Sequence, residues 1–313
     1  AYSPRWNSVR TSPTQQQFPQ GVSERTDLVY ETPIHIVAAR RSPIGRFGGG
    51  LKNFTAAVLE GHVAESTVPE TLRPYIGQVI LGQVLQAGCG MNTARQVGLK
   101  LGIPKTTPAF TVNMVCGSGL KSVALGADAI AQGEANLVLT GGVESMSNAP
   151  HYSMDLRFGQ KIGDSRLLDA ILTDGLSAPV LRRGMGDIAE ELAVEYDISR
   201  EEQDEFALRS QQLAAATREA FKREIAPIDN VEVDEHPRPD TTLEKLQSLA
   251  PVFDKDGTIT AGNASGINDG AATVLLANGT ELAKHKLESR ARIVGATAIG
   301  CDPLRFGLGP VGA

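Results

Sequence analysis

Cysteine is scarce in this sequence. Its three cysteines, Cys89, Cys116 and Cys301, are odd in number and far apart, which argues against a disulfide scaffold and for a reducing compartment. Long apolar runs are missing too. No stretch approaches the ~18 residues that suggest a membrane span. No basic run stands out and the net charge is −6, so neither nucleic acid nor a membrane is an expected partner. The histidines, His35, His62, His151, His236 and His285, lack metal-ligand spacing, and no metal is expected. "FDKDGTIT" resembles part of a calcium loop. Aligned on Gly257, however, its first and last ligand positions fall on Val252 and Asn263, and the spacing fails. "FGGGLKNF" and "CGSGLKS" fit neither the dinucleotide fingerprint nor the phosphate loop.

What is present is ordinary globular composition, 41% hydrophobic and 21% charged over 313 residues, enough for two domains or one large one. Residues 1–31 differ from the rest. They are rich in Ser, Gln and Pro, carry no acidic residue before Glu24 and have no hydrophobic periodicity. They read as an irregular tail. Arg5 and Arg10 among several Ser and Thr give a faint likeness to an organelle transit peptide. A species-specific extension is the plainer reading, so cytoplasmic location is expected, with the mitochondrial matrix as the alternative.

Strand and helix patterns then alternate. Ile34, Ile36, Val37 and Ala38 form a short strand, broken by Pro43 and Gly45; 54–67 is a helix and 78–85 a strand. Residues 91–102 form a helix with Asn92 as N-cap, 109–115 a buried strand, 120–133 a helix closed by Gly133, and 135–145 a strand. Such alternation predicts an α/β fold, a mostly parallel sheet with helices on both faces. The pattern breaks at 149–257, which is polar and irregular. It contains one amphipathic helix, 199–225, opened by the capping box of Ser199 and Glu202. An insertion of this kind supplies a lid or a ligand-binding face. Strands resume at 270–278 and 291–300.

"TVNMVCGSGLKS" (111–122) places Cys116 where a strand turns into a helix, beside Gly117 and Gly119. A helix N-terminus presents unpaired N–H groups that stabilise a nearby thiolate. The same groups could hold the oxyanion of a thioester's tetrahedral intermediate. A lone cysteine beside an apolar strand is more often a small buried hydrophobe, and Cys89 and Cys301, which lack the strand-to-helix setting, read that way.

Five segments in order, "GQVLQAGCGMNTARQ", "NMVCGSGLKSV", "GGVESMSNAPH", "FDKDGTITAGNASGINDGAA" and "GLGPVGA", resemble the thiolase family, the acetyl-CoA C-acyltransferases, from about Pro33 to Ala313. The resemblance implies the thiolase fold: two similar α/β half-domains with a loop domain inserted in the first. Here the first half-domain would be 32–148 plus 266–280, and the inserted coenzyme A-binding region 149–265. Residues 287–313 would begin a second half-domain that is largely absent. The resemblance further implies that Cys116 is the acylated nucleophile. Leu176 and Met185 would line the coenzyme A site, Arg238 would lie near the nucleotide end, Phe253 along the pantetheine, and Ala261 and Ser265 at its amides. The partners implied are acyl-CoA and coenzyme A, as substrates rather than a bound cofactor, and a second copy of the chain in a homodimer or homotetramer. The family's usual His-Met pair is Gly184-Met185 here, which favours a longer-chain, degradative type.

The family also uses a histidine base in a Gly-His-Pro motif, an asparagine in Asn-Glu-Ala-Phe and a second cysteine in Cys-x-Gly-Gly. None of these motifs occurs in the 313 residues. Without base and α-carbon acid the chain alone is expected to be inactive. A non-catalytic coenzyme A-binding or dimerising protein is the alternative.

Overall fold

In the computed structural model, which describes residues 29–313, apolar residues at alternate positions build one large sheet. The strands are β1 (Val29–Arg41), β2 (Gly45–Arg46), β3 (Gln78–Gly82), β4 (Ala109–Val112) and β5 (Leu137–Ser145). The two-residue strands β6 (His151–Tyr152), β7 (Leu168–Asp169), β8 (Ser177–Ala178) and β9 (Arg183–Gly184) follow, then β10 (Asn268–Asn278) and β11 (Ala291–Gly295). The helices are α1 (Ala56–Thr67), α2 (Thr93–Lys100), α3 (Ser118–Ala131), α4 (Met185–Glu195), α5 (Arg200–Phe221), α6 (Leu243–Gln247), α7 (Gly279–His285) and α8 (Gly309–Gly312).

The main sheet runs β11-β1-β10-β5-β3-β4, with β2 also paired to β10. β3 pairs in parallel with both β4 and β5, whereas β10 is antiparallel to β1 and to β5. β1, β3, β4 and β5 therefore share one direction, as the alternating pattern predicts. The mostly parallel sheet is nonetheless corrected to a mixed one. β10 returns from the long 149–267 segment rather than from a helical crossover, and it enters between β1 and β5 in the opposite direction. β11, also antiparallel, adds to the outer edge of β1. Its pairing stops at Gly295, short of the expected 300.

Strand alternation assigns the two faces. Val79, Leu81, Leu137, Leu139, Leu275 and Ala277 meet α1 and α2, while Ile80, Val138 and Leu276 meet α3. Helices thus cover both faces. The Asn92 side chain accepts the Arg95 N–H at 3.2 Å and caps α2. Ser199 and Glu202 exchange their capping hydrogen bonds at 3.2 and 2.9 Å.

The irregular tail expected over 1–31 lies outside the described residues as far as residue 28. Residues 29–31 already belong to β1, since Tyr30 is buried against α3 and its hydroxyl donates to Asp128 at 2.8 Å. Among the described residues no helix is long and apolar enough to cross a membrane. No group of three His, Cys, Asp or Glu side chains could hold a metal ion among them.

Candidate active site

Cys116 is exposed. It lies between the end of β4 and the start of α3, on a turn whose backbone is forced. Val115 sits at φ +50°, a left-handed conformation that β-branched residues disfavour. Short hydrogen bonds impose it. The Val115 N–H donates to Asn113 Oδ1 at 2.9 Å, and Ser118 Oγ donates to the Val115 carbonyl at 2.6 Å. Ser118 Oγ also accepts the Met114 N–H at 2.8 Å. The turn lifts the thiol off the sheet and places it ahead of the N-terminus of α3, one residue before its N-cap Gly117.

Glycines let α3 approach the sheet closely. A Cβ on Gly82 would lie 2.3 Å from the Ser118 carbonyl carbon, and one on Gly142 would lie 3.0 Å from Gly119 Cα. Ser122 Oγ closes the contact by donating to the Gly141 carbonyl at 2.6 Å. The thiol's position is therefore fixed at the carboxyl ends of β3, β4 and β5, the end of an α/β sheet where ligands bind.

β3 and β5 separate after Gly82 and Gly142, leaving the amides that follow Gln83 without strand partners. Glu144 takes two of them. Its carboxylate oxygens accept the Val84 and Leu85 N–H groups, both at 2.9 Å. Burial pushes this carboxyl above its ordinary range, and the two N–H groups pull it partly back.

The remaining residues expected to line a site occupy the 149–267 segment and the start of β10. Arg238, Ala261 and Ser265 come together. All three line one cavity of about 930 Å³ whose inner wall includes Asn268, the first residue of β10. Asp269, the next residue, pairs with Ser145 at the carboxyl end of β5, so the cavity opens on the same end of the sheet as the thiol. The Arg238 backbone N–H is held by Gln211 Oε1 at 2.7 Å, and its side chain is exposed. Met185 begins α4, and Phe253 adjoins it through Gly186: a Cβ there would lie 2.3 Å from the Phe253 ring. Leu176 is half-buried at the end of a π-helical turn, 171–176. Leu176, Met185 and Phe253 do not line the 930 Å³ cavity, and neither does Cys116.

Three features escape sequence reading. Lys245 and His236 line the cavity, although nothing in the sequence sets them apart. The buried Nε2 of His236 has no hydrogen-bond partner and packs on Gly266. Glu190 accepts the Thr258 and Ile259 N–H groups at 2.9 and 2.8 Å and so shapes the loop that leads to Ala261. Glu144 did carry a signal, as a carboxylate closing an apolar strand inside "GGVES".

The model of the thiolase N-terminal domain matches residues 34–280. The human mitochondrial 3-ketoacyl-CoA thiolase is 46% identical over 297 residues, covering 90% of this chain and 74% of that protein. An acetyl-CoA acetyltransferase of Chromobacterium violaceum is also 46% identical, over 90% of this chain and 75% of its own length. Among solved structures, human mitochondrial 3-ketoacyl-CoA thiolase in complex with CoA superposes with a TM-score of 0.88 at 46% identity, covering 92% of this chain and 75% of that one. The Bacillus anthracis acetyl-CoA acetyltransferase superposes with a TM-score of 0.85 at 39% identity, covering 90% and 74%. With this sheet, this placement of the cysteine and matches across most of its length, the chain belongs to the thiolase family and has the thiolase fold.

Proposed function

We propose that Cys116 is the nucleophile of an acyl transfer between a cysteine thioester and coenzyme A. In the degradative direction the thiolate attacks C3 of a 3-ketoacyl-CoA and the C2–C3 bond breaks. The electron pair passes to C2, which takes up a proton and leaves as acetyl-CoA. The thiol of a second coenzyme A then attacks the acyl-cysteine thioester and frees the Cys116 thiolate. The reverse sequence is the Claisen condensation of acetyl-CoA. The observation that carries this reading is the exposed Cys116 thiol, held on a strained turn at the N-terminus of α3. In this reading Arg238, Ala261 and Ser265 hold coenzyme A in their shared cavity, Phe253 runs along its pantetheine, and Leu176 and Met185 line the site. The human relative was crystallised in complex with CoA, which supports coenzyme A as the ligand.

We extend the proposal to organisation. Residues 32–148 with 266–280 form a first half-domain, 149–265 the coenzyme A-binding insertion, and 287–313 the beginning of a second half-domain. Copies of the chain pair as a homodimer or homotetramer. The edge strand β4, which among the described residues pairs only with β3, supports pairing on that side. The location proposed is cytoplasmic, with the mitochondrial matrix as alternative.

The 313 residues by themselves are proposed to lack turnover. Among the described residues no histidine is hydrogen-bonded to Cys116. His35 meets Ser289, His62 the Pro227 carbonyl and His285 Glu281, His236 packs on Gly266, and His151 is exposed in β6. This favours a second reading, coenzyme A binding without catalysis. Incubation with acetoacetyl-CoA followed by intact-mass measurement separates the two. An acetyl adduct present in wild type and lost in Cys116→Ser supports the nucleophile. A folded wild-type protein with no adduct supports binding alone.

A further inference from the structure

The segment "GGVES" has no part in the acyl transfer as described, yet its glutamate lies at the root of the thiol's support. Glu144 is anchored mid-sheet, its backbone paired with Gly270 of β10. Its two carboxylate oxygens hold the Val84 and Leu85 amides, which fixes the path of 83–86 just where β3 leaves the sheet. That short stretch touches the cysteine turn twice. The Gln83 N–H donates to the Val112 carbonyl at 3.0 Å, at the last residue of β4. The Val84 carbonyl accepts from Asn113 Nδ2 at 3.4 Å. The other end of the same Asn113 amide, Oδ1, holds the Val115 N–H at 2.9 Å. Val115 is the residue in the left-handed conformation, and Cys116 follows it.

We propose that Glu144 is a positioning residue for Cys116, acting through the 83–86 backbone and the Asn113 side chain to hold the Val115 turn that presents the thiol. The proposal deepens the reading of Cys116 as nucleophile and rests on it. The carboxylate touches neither thiol nor substrate; its effect reaches Cys116 through three hydrogen bonds and the Val115–Cys116 peptide bond. A strained turn persists only where its surroundings over-determine it. Ser118 secures the Val115 carbonyl, while Asn113 and, behind it, Glu144 secure the Val115 N–H. With either support removed, the turn relaxes and the thiol leaves the N-terminus of α3.

The test is the rate at which iodoacetamide alkylates each cysteine in the intact 313-residue protein, resolved by peptide mass spectrometry. Cys301 serves as the reference in the same molecule; Cys89 does not, since its sulfur contacts Gln83 Nε2 at 3.2 Å and the Leu85 carbonyl at 3.5 Å, within the stretch that Glu144 holds. Iodoacetamide needs no coenzyme A, so the result is independent of whether acyl transfer occurs. Glu144→Ala is expected to slow Cys116 at least about threefold, leaving Cys301 unchanged. Glu144→Gln, which can still accept one of the two N–H groups, is expected to fall between. Asn113→Ala should match Glu144→Ala, and the double variant should be no slower than Asn113→Ala alone, since both act on one path. Glu235→Gln is the control. That carboxylate also holds backbone amides, those of Arg46 and Gly50, but in a different loop, and Cys116 should keep its rate. If Glu144→Ala fails to fold, Glu144→Gln and Asn113→Ala decide. An unchanged Cys116 rate in the folded variants, or a change shared equally by Cys116 and Cys301, overturns the proposal.

Discussion

Glu60 lies on α1 facing the sheet and is fully buried. Thr273 Oγ1 donates to its Oε1 at 2.7 Å, and its Oε2 has no partner. Burial pushes this carboxyl well above the usual range of about 4.3, with the Thr273 hydroxyl pulling the other way. Between the unfolded and the folded value, the folded chain therefore keeps a proton that the unfolded chain has released. Stability is fully present below the unfolded value and is lost as pH rises toward the folded one. The urea midpoint of the wild type should fall as pH rises above the unfolded value of about 4.3. Glu60→Gln, which cannot ionise, should remove that part of the slope; an unchanged slope would show that Glu60 is not its source. Periodicity alone does not reveal this residue. A glutamate within "AAVLEGHVAEST" reads as solvent-facing until α1 is laid on β10.

At the scale of elements, the contact of α3 with β3 decides where the thiol stands. Gly82 leaves room for the α3 backbone, and a Cβ there would meet Ser118 at 2.3 Å. Gly82→Ala should cost on the order of 1–3 kcal/mol, as overpacking does, and should slow alkylation of Cys116 by iodoacetamide more than that of Cys301. Denaturant titration and the two mass measurements check both halves. The elements themselves were largely legible. Turn residues and caps punctuate them: Asn92 caps α2 and Ser199 caps α5, because their side chains take N–H groups that the helix cannot satisfy. The hydrophobic stripe of α5 was less informative. The helix forms, but Asp204 is its buried residue, while Phe206 and Leu213 are exposed. A periodic pattern encodes a face without saying what it packs against.

For the whole molecule, two polar clusters join the 149–267 segment to itself and to the sheet. Arg41, at the end of β1, donates to Asp234 and Glu224, both at 2.7 Å, and lies over the Phe221 ring. Asp204 accepts from Arg200 Nε at 2.8 Å and from Asn263 Nδ2 at 3.0 Å, tying α5 to the loop that carries Ala261 and Ser265. Removing Asp204 takes the carboxylate partner from Arg200 and leaves Asn263 Nδ2 with the Thr258 carbonyl alone. Asp204→Ala should cost about 3 kcal/mol and weaken coenzyme A binding at least tenfold by calorimetric titration. Unaltered binding in a destabilised variant would mean the cavity wall does not depend on this cluster.

The sequence by itself determined the elements, the family and the place of Cys116 on a strand-to-helix bend, because alternation, capping residues and glycines act over a few positions of chain. It also placed Arg238, Ala261 and Ser265 on a common site through family resemblance. Tertiary structure alone decided that β10 enters the sheet antiparallel between β1 and β5, that these three residues share one cavity, and that Glu144 stands behind the thiol. Each depends on segments far apart in sequence: β10 lies more than a hundred residues beyond β5, and Glu144 acts on amides 60 positions before it. Local propensity carries no record of such pairings, which arise only when the sheet closes and its buried polar groups must find partners.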